Sequence, residues 1–461
     1  MRILSIVVVL VATTACNLQT APKPAPPKNL TGVIGAASYE IDVPGQWNGT
    51  LFLYSHGYVR PGGGNAAESA PAGIGRTWLL DHHFAAAGSA YSSTGWAVED
   101  GLRDQIALLD YFTKAVGKPR RVIAWGHSLG GLITAGLVQL HPERFAAAMP
   151  LCGALAGSVA TWNAGLDGAY AFKTLLAPDS ALELVHITDA QTNLSLAEQV
   201  YAAAQATPQG QARLALVAAL LDLPGWFSPT EAEPAATDYL ARARAQGAWE
   251  SDVDFGFEFA GRLELEQRAG GNPSWNEGVD YTQLLAQSSD AAEVAGLYSA
   301  AGLNLDSDVA RLNAGPRIKA DPEAAAYLSR FITFDGNLSV PTLSMHTTGD
   351  GLVVPPNETA YAQVVGAAGK QNMLRQVFVH RAGHCTFSAA ETIAAVQMLL
   401  KRLDTGRWDD QALQPAALNA AAHAQGTSAS LFFGARFDPS FVSFQPGGFP
   451  RPFSKGATIP A

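Results

Sequence analysis

With 461 residues, 48% of them hydrophobic and 15% charged, the chain carries enough apolar material for one large globular core. Its formal charge of −10 argues against nucleic acid as a partner, which calls for basic patches. No repeat or heptad pattern suggests a solenoid or a coiled coil.

The first residues read as an export signal. Met1-Arg2 is a short basic start, residues 3–12 are mostly apolar, and Thr13-Thr14-Ala15 is a small-residue cleavage region, which together predict a signal peptide over residues 1–15. The apolar stretch is shorter than the ~20 residues that span a bilayer. Cys16 comes next, and a cysteine there resembles the lipid attachment site of a bacterial lipoprotein, with Thr13 where such motifs prefer leucine. Lipidation of Cys16 would attach the chain to a membrane, whereas simple cleavage would secrete it. Residues 16–34, which include Pro22-Lys23-Pro24-Ala25-Pro26-Pro27, read as a stiff tether.

A largely apolar strand over residues 50–55 runs into His56-Gly57-Tyr58, and residues 85–92 read as a fourth strand. Residues 98–116 form an amphipathic helix pattern. The apolar run 121–125 then leads into Gly126-His127-Ser128-Leu129-Gly130 and a helical stretch over 131–138. A strand that turns into a helix within one residue forces the serine into a strained conformation, and glycines on either side let the backbones pass. This makes Ser128 the candidate nucleophile. The Leu129 amide, at a helix N-terminus, and the amide of Gly57 or Tyr58 are the candidate oxyanion donors.

A sixth strand is predicted over 146–151, and residues 155–335 then interrupt the alternation with alanine-rich helical sequence, the expectation for a helical cap. Trp162, Tyr170, Trp226 and Phe227 could line a pocket or simply pack in the cap core. Asp252 and Asp254 lack the glycine and glutamate of a calcium loop and read as solvated acids.

The strand predicted over 341–346 runs into Thr347-Thr348-Gly349-Asp350-Gly351, and the strand over 374–379, expected to be the last, leads to His380-Arg381-Ala382-Gly383-His384. Asp350 is the candidate orienting acid and His384 the candidate base. His346 precedes the acid and His380 falls inside the strand period, so both read as structural histidines; Asp167 and Asp189 follow no clear strand. Of three cysteines, Cys152 and Cys385 remain as a pair once Cys16 is cleaved off or lipidated. Both are expected near the C-terminal edge of the sheet, where a disulfide would pin the histidine loop; two buried free thiols are the alternative. After a helix over 391–401, residues 406–461 carry Phe432, Phe433, Phe437, Phe441, Phe444, Phe449 and Phe453 among glycines and prolines, and an irregular arm packed on the domain is expected.

The set His56-Gly57, Gly126 to Gly130, Gly349-Asp350 and Gly383-His384 resembles the serine α/β-hydrolase superfamily, over residues of about 35–155 and 335–405. The resemblance implies an α/β fold with a mostly parallel central sheet, helices on both faces, a core of residues 35–154 and 336–405, and the cap inserted between them. His384-Cys385 is also similar to the tannase and feruloyl esterase group, where the bridging partner precedes the nucleophile; here His127 stands at that place. The expected function is an exported serine hydrolase that cleaves a small carboxylic ester through an acyl-enzyme, with neither metal nor organic cofactor. One alternative is an aminopeptidase whose cap acids hold the substrate amine, the candidates being Glu231 with Glu233, Glu264 with Glu266, and Glu258. Another is a non-catalytic binding module.

Overall fold

The computed structural model describes residues 26–459 except Ala72 and Phe433. The export signal, Cys16 and the first part of the tether therefore lie outside the described residues.

Among the described residues nine strands form one sheet, crossed in the order β1-β2-β4-β3-β5-β6-β7-β8-β11. β1 (Lys28–Ile34) and β2 (Ala37–Val43) make an antiparallel hairpin at one edge, closed through Gly35 at φ 62°. The predicted tether is corrected here, because residues 28–34 pair along their whole length with β2 and belong to the sheet. The core is parallel: β3 (Thr50–Ser55), then α1 (Ile74–Asp81), β4 (Ala85–Ser89), α2 (Val98–Ala115), β5 (Arg121–His127), α3 (Leu129–Leu140) and β6 (Ala147–Leu151). β3, β4 and β6 are buried at every residue, as expected of strands covered on both faces. The fourth strand is shorter than predicted, since Tyr91 at φ 59° turns the chain away from the sheet.

Between β6 and β7 the chain builds nine helices: α4 (Ser158–Leu176), α5 (Ala190–Gln205), α6 (Pro208–Leu221), α7 (Tyr239–Trp249), α8 (Arg262–Ala269), α9 (Tyr281–Gln287), α10 (Ala291–Ala300), α11 (Leu305–Ala314) and α12 (Pro322–Arg330). They bury a core of their own around Phe172, Leu216, Phe259, Tyr281 and Leu312. The chain from α7 to α8 stays helical through two π turns, Glu250–Asp254 and Gly256–Gly261. Such turns shift the phase at which side chains leave the helix and are frequent at functional sites.

The chain then returns to the sheet with β7 (Thr342–Gly349), α13 (Pro356–Ala367), β8 (Leu374–Ala382) and α14 (Ala389–Thr405). α14 opens with a capping box, in which Ser388 and Glu391 satisfy each other's backbone amides. Glu391 also forms a buried ion pair with Arg381, at 2.8 Å, so helix start and strand end are locked together. Removing one partner of such a pair costs about 3–5 kcal/mol because the other charge stays buried.

The C-terminal segment differs from the irregular arm expected. It forms α15 (Pro415–His423), a small ladder of β9 (Leu431–Phe432) with β10 (Ala435–Arg436), and β11 (Phe441–Val442), which adds antiparallel to β8 as the edge strand. β8 is thus not the last strand of the sheet. Phe441 and Phe449 are buried and Phe444 stays exposed; Phe433 lies outside the described residues. The Phe441 side chain pays for the two-residue strand by filling the groove between β8 and α15.

Candidate active site

The parallel strands all point their C-terminal ends to one edge, the usual place for a site in this kind of sheet. Ser128 follows β5 with φ 58° and ψ −125°, in the left-handed region that a side chain enters only under constraint. The surroundings supply the constraint. A Cβ on Gly126 would come within 2.4 Å of the Ser55 carbonyl, and one on Gly130 within 2.0 Å of the same atom. The two glycines are therefore required by the close approach of β3, and the turn between them is held by Ser128 N–H donating to Leu151 O at 3.0 Å. Leu129 opens α3, so its N–H has no partner within the helix.

The loop after β3 lies directly over the serine. A Cβ on Gly57 would stand 3.3 Å from Ser128 Cβ and 3.8 Å from its Oγ. The loop is fixed by His56, whose ring stacks on Tyr91 at 4.0 Å and whose Nδ1 contacts Gly57 O at 2.7 Å. Gly57 thus approaches Ser128 directly, and Tyr58 and Leu129 line the same cleft as the serine.

Asp350 follows β7 directly, one residue beyond a strand that extends three residues further than predicted, and is fully buried. Its Oδ2 receives His384 Nδ1 at 2.7 Å, while its Oδ1 accepts the Leu352 and Val353 amides at 3.1 and 3.0 Å. Burial alone would raise the carboxyl pKa, but the imidazoles of His384 and His346 outweigh it and hold the group below its ordinary range. Among the described residues Ser128 Oγ makes no hydrogen bond to His384 Nε2, a contact that commonly tightens only when substrate is bound.

The cysteines form the disulfide Cys152–Cys385, with Cα atoms 5.4 Å apart. Cys152 follows β6 and Cys385 follows His384, so the bridge ties the histidine loop to the strand beside the nucleophile. Together with His384 the two sulfurs have the spacing of a metal site, but as a disulfide they offer no thiolate.

The other histidines and acids have different employment. His380 lies in β8 with Nε2 at 3.2 Å from Glu233, apart from the serine. Asp167 receives Tyr281 and Arg451, and Asp189 caps α5. Glu264 accepts the Trp96 amide at 2.9 Å, and Glu266 accepts the His186 and Ile187 amides.

Ser128 opens onto a cleft that the inserted helices help to line. Tyr58, Trp96, Trp162 and Phe257 supply aromatic walls, and Phe449 closes it from the C-terminal segment. Of the four aromatics proposed for the pocket, only Trp162 lines it. Tyr170 stacks on Tyr281 in the cap core, Phe227 packs on Trp249, and Trp226 meets His380. The expectation of two solvated acids fails at Asp254. Asp252 is exposed, but the π turn brings Asp254 into the cleft wall with Oδ2 unpartnered. Burial, and then the charges of Glu258, Glu250 and Asp350, raise the Asp254 pKa well above the carboxylate range. Glu258 also lines the cleft and pairs with the buried Arg262 at 2.9 Å. The Phe257-Glu258-Phe259 alternation hinted at a helix serving two environments, but its phase was not readable.

The chain is 30% identical over 430 residues to an o-phthalyl amidase of Xanthobacter agilis, covering 86% of this chain and 91% of the amidase. The chain belongs to the serine α/β-hydrolase superfamily, in the same family as that amidase. The prolyl oligopeptidase family matches the hydrolase over residues 88–160, from β4 through the elbow to α4. Among solved structures, Est1E from Butyrivibrio proteoclasticus aligns with 82% of the hydrolase and 99% of its own chain, at 11% identity and TM-score 0.38. The acylaminoacyl peptidase of Pyrococcus horikoshii aligns with 79% of the hydrolase at 11% identity and TM-score 0.34; the hydrolase spans 38% of that chain.

Proposed function

We propose that this serine hydrolase cleaves small carboxamides and esters whose acyl part is flat and aromatic. The observation that carries the reading is the cleft itself, in which Ser128 faces Tyr58, Trp96, Trp162 and Phe257. The amidase relative, named for o-phthalyl amides, supports an aromatic acyl group and an amide bond. Esters follow from the same chemistry, since an alcohol leaves more easily than an amine.

Ser128 Oγ attacks the carbonyl carbon while His384 Nε2 takes its proton. The amides of Leu129 and of Gly57 or Tyr58 stabilise the oxyanion, and Asp350 holds the imidazole tautomer and its charge. The imidazolium then protonates the departing amine or alcohol, and water repeats the cycle to release the acid. The test is a matched set of aryl amides, aryl esters and aliphatic esters of equal leaving group. Aryl substrates should lead in kcat/KM, and a preference for aliphatic acyl groups would overturn the reading.

The aminopeptidase reading has one observation in its favour, the carboxyls of Asp254 and Glu258 in the cleft wall. A substrate ammonium bound there would draw both into their charged forms. Under that reading Asp254→Asn selectively loses amine-bearing anilides; under the aryl-acyl reading neutral aryl amides are still turned over.

We further propose export, with lipid attachment at Cys16. The disulfide supports an oxidising compartment. Radiolabelled palmitate incorporated by the full chain and lost in Cys16→Ala is the expected result, and unlabelled full-chain protein would contradict it.

A further inference from the structure

We propose that His346 and Glu358 extend the candidate triad inward and act as positioning residues for Asp350. The inference rests on the catalytic reading of Ser128, Asp350 and His384 given above.

His346 sits on β7, two turns of the pleat before Asp350, with no solvent exposure. Its Nδ1 lies 3.1 Å from Glu358 Oε1 and its Nε2 lies 2.7 Å from the Val353 carbonyl. The Val353 carbonyl can only accept, so Nε2 carries a proton, and beside an ionised Glu358 Nδ1 carries one too, which makes the imidazole a cation. The same Nε2 stands 3.5 Å from Asp350 Oδ2, the oxygen that holds His384. Glu358 in turn accepts from Ser344 and Gln376, which fix its orientation. The result is an alternation of carboxyl and imidazole running Glu358, His346, Asp350, His384 from the interior to the cleft.

The arrangement does two things. The cation lets Asp350 remain ionised in a place where burial works against it, and the Val353 contact fixes the loop whose amides clasp the other Asp350 oxygen. Burial disfavours a charged His346, but the carboxylates of Asp350 and Glu358 outweigh it and push its pKa up to about 10. The titratable groups around the pair are Glu358 and Tyr361 of α13, Asp350 and His384 from the loops after β7 and β8, and Asp254 from the π turn. No lysine or arginine appears among them.

The test compares pH profiles of kcat/KM for the full chain, His346→Asn and Glu358→Gln, with Ser128→Ala and Asp350→Asn as controls. Without the cation the site carries more negative charge and holds its proton to higher pH, so the acid limb of His346→Asn moves upward. Its kcat falls by roughly tenfold or more, part of what general acid–base catalysis supplies, with little change in KM. Glu358→Gln keeps the ring and removes a negative charge instead of a positive one, so its kcat loss is smaller and its acid limb does not move upward. An acid limb that stays in place in His346→Asn overturns the proposal even if kcat drops. Turnover that survives Ser128→Ala or Asp350→Asn would instead refute the underlying catalytic reading. Nitrogen-15 spectra of the imidazoles read the pair without turnover or substitution. Both His346 nitrogens protonated at pH 8 is the expected result, and a neutral ring overturns the proposal.

Discussion

Sγ of Cys385 lies 3.4 Å from Nε2 of His384, so the disulfide and the proposed general base form one structural unit. Both cysteines are held at positive φ, 43° for Cys152 and 55° for Cys385, and the covalent bond spans 233 residues of chain. Reduction should therefore act on activity and stability together. Cross-links of this kind contribute about 2–4 kcal/mol. Treatment with a reductant is expected to lower kcat and the melting temperature in parallel, as is Cys152→Ala with Cys385→Ala; activity unaffected while stability falls would separate the bridge from the site.

The C-terminal segment should be needed for substrate binding. Phe449 walls the cleft, and two residues on Arg451 donates to Asp167 at 3.0 Å and to the Trp275 carbonyl at 2.7 Å. Burial raises the Asp167 pKa to about 6 against the pull of Arg451. Arg451→Ala removes the ion-pair partner of that acid, leaving Arg317 as the remaining cation acting on it, and is expected to destabilise by about 3 kcal/mol or less. Phe449→Ala should raise KM for aryl substrates with a smaller effect on kcat. Steady-state kinetics beside thermal melts will distinguish the two.

Two buried imidazoles contribute to stability with opposite signs. Burial, aided by the charge of His384, lowers the His127 pKa to about 4 from the ordinary 6.5. The unfolded chain binds that proton first, so the His127 contribution is lost as pH falls from 6.5 towards 4. His346, raised to about 10, behaves oppositely: its contribution is complete below 6.5 and is lost as pH climbs from there to about 10. Melting curves across pH should show His127→Asn flattening the acid side and His346→Asn the alkaline side. Parallel curves for either variant and the parent would contradict the assignment.

What was readable in the sequence was what is local. The elbow at Ser128 needs only a strand, two glycines and a helix start, and each announces itself within a dozen residues. The acid and histidine were legible for a related reason, because Asp350 directly follows β7 and His384 stands two residues past β8, whose Val377-Phe378-Val379 run marks it as a strand. Asp254 was hidden by π turns that move side chains off the 3.6-residue phase on which a helical reading depends. β11 was hidden by its length, since two residues display no alternation. The partnership of His346 with Glu358 joins a strand to a helix through side chains alone, and no spacing rule signals it.

The most direct test of the account is intact-mass spectrometry of the full chain quenched during turnover of an aryl ester. The expected result is a mass gain equal to the acyl group, mapped to the peptide containing Ser128 and absent in Ser128→Ala, whose kcat drops by a factor on the order of 10⁴ or more. Hydrolysis that persists in Ser128→Ala, or an acyl group carried on another residue, would contradict it.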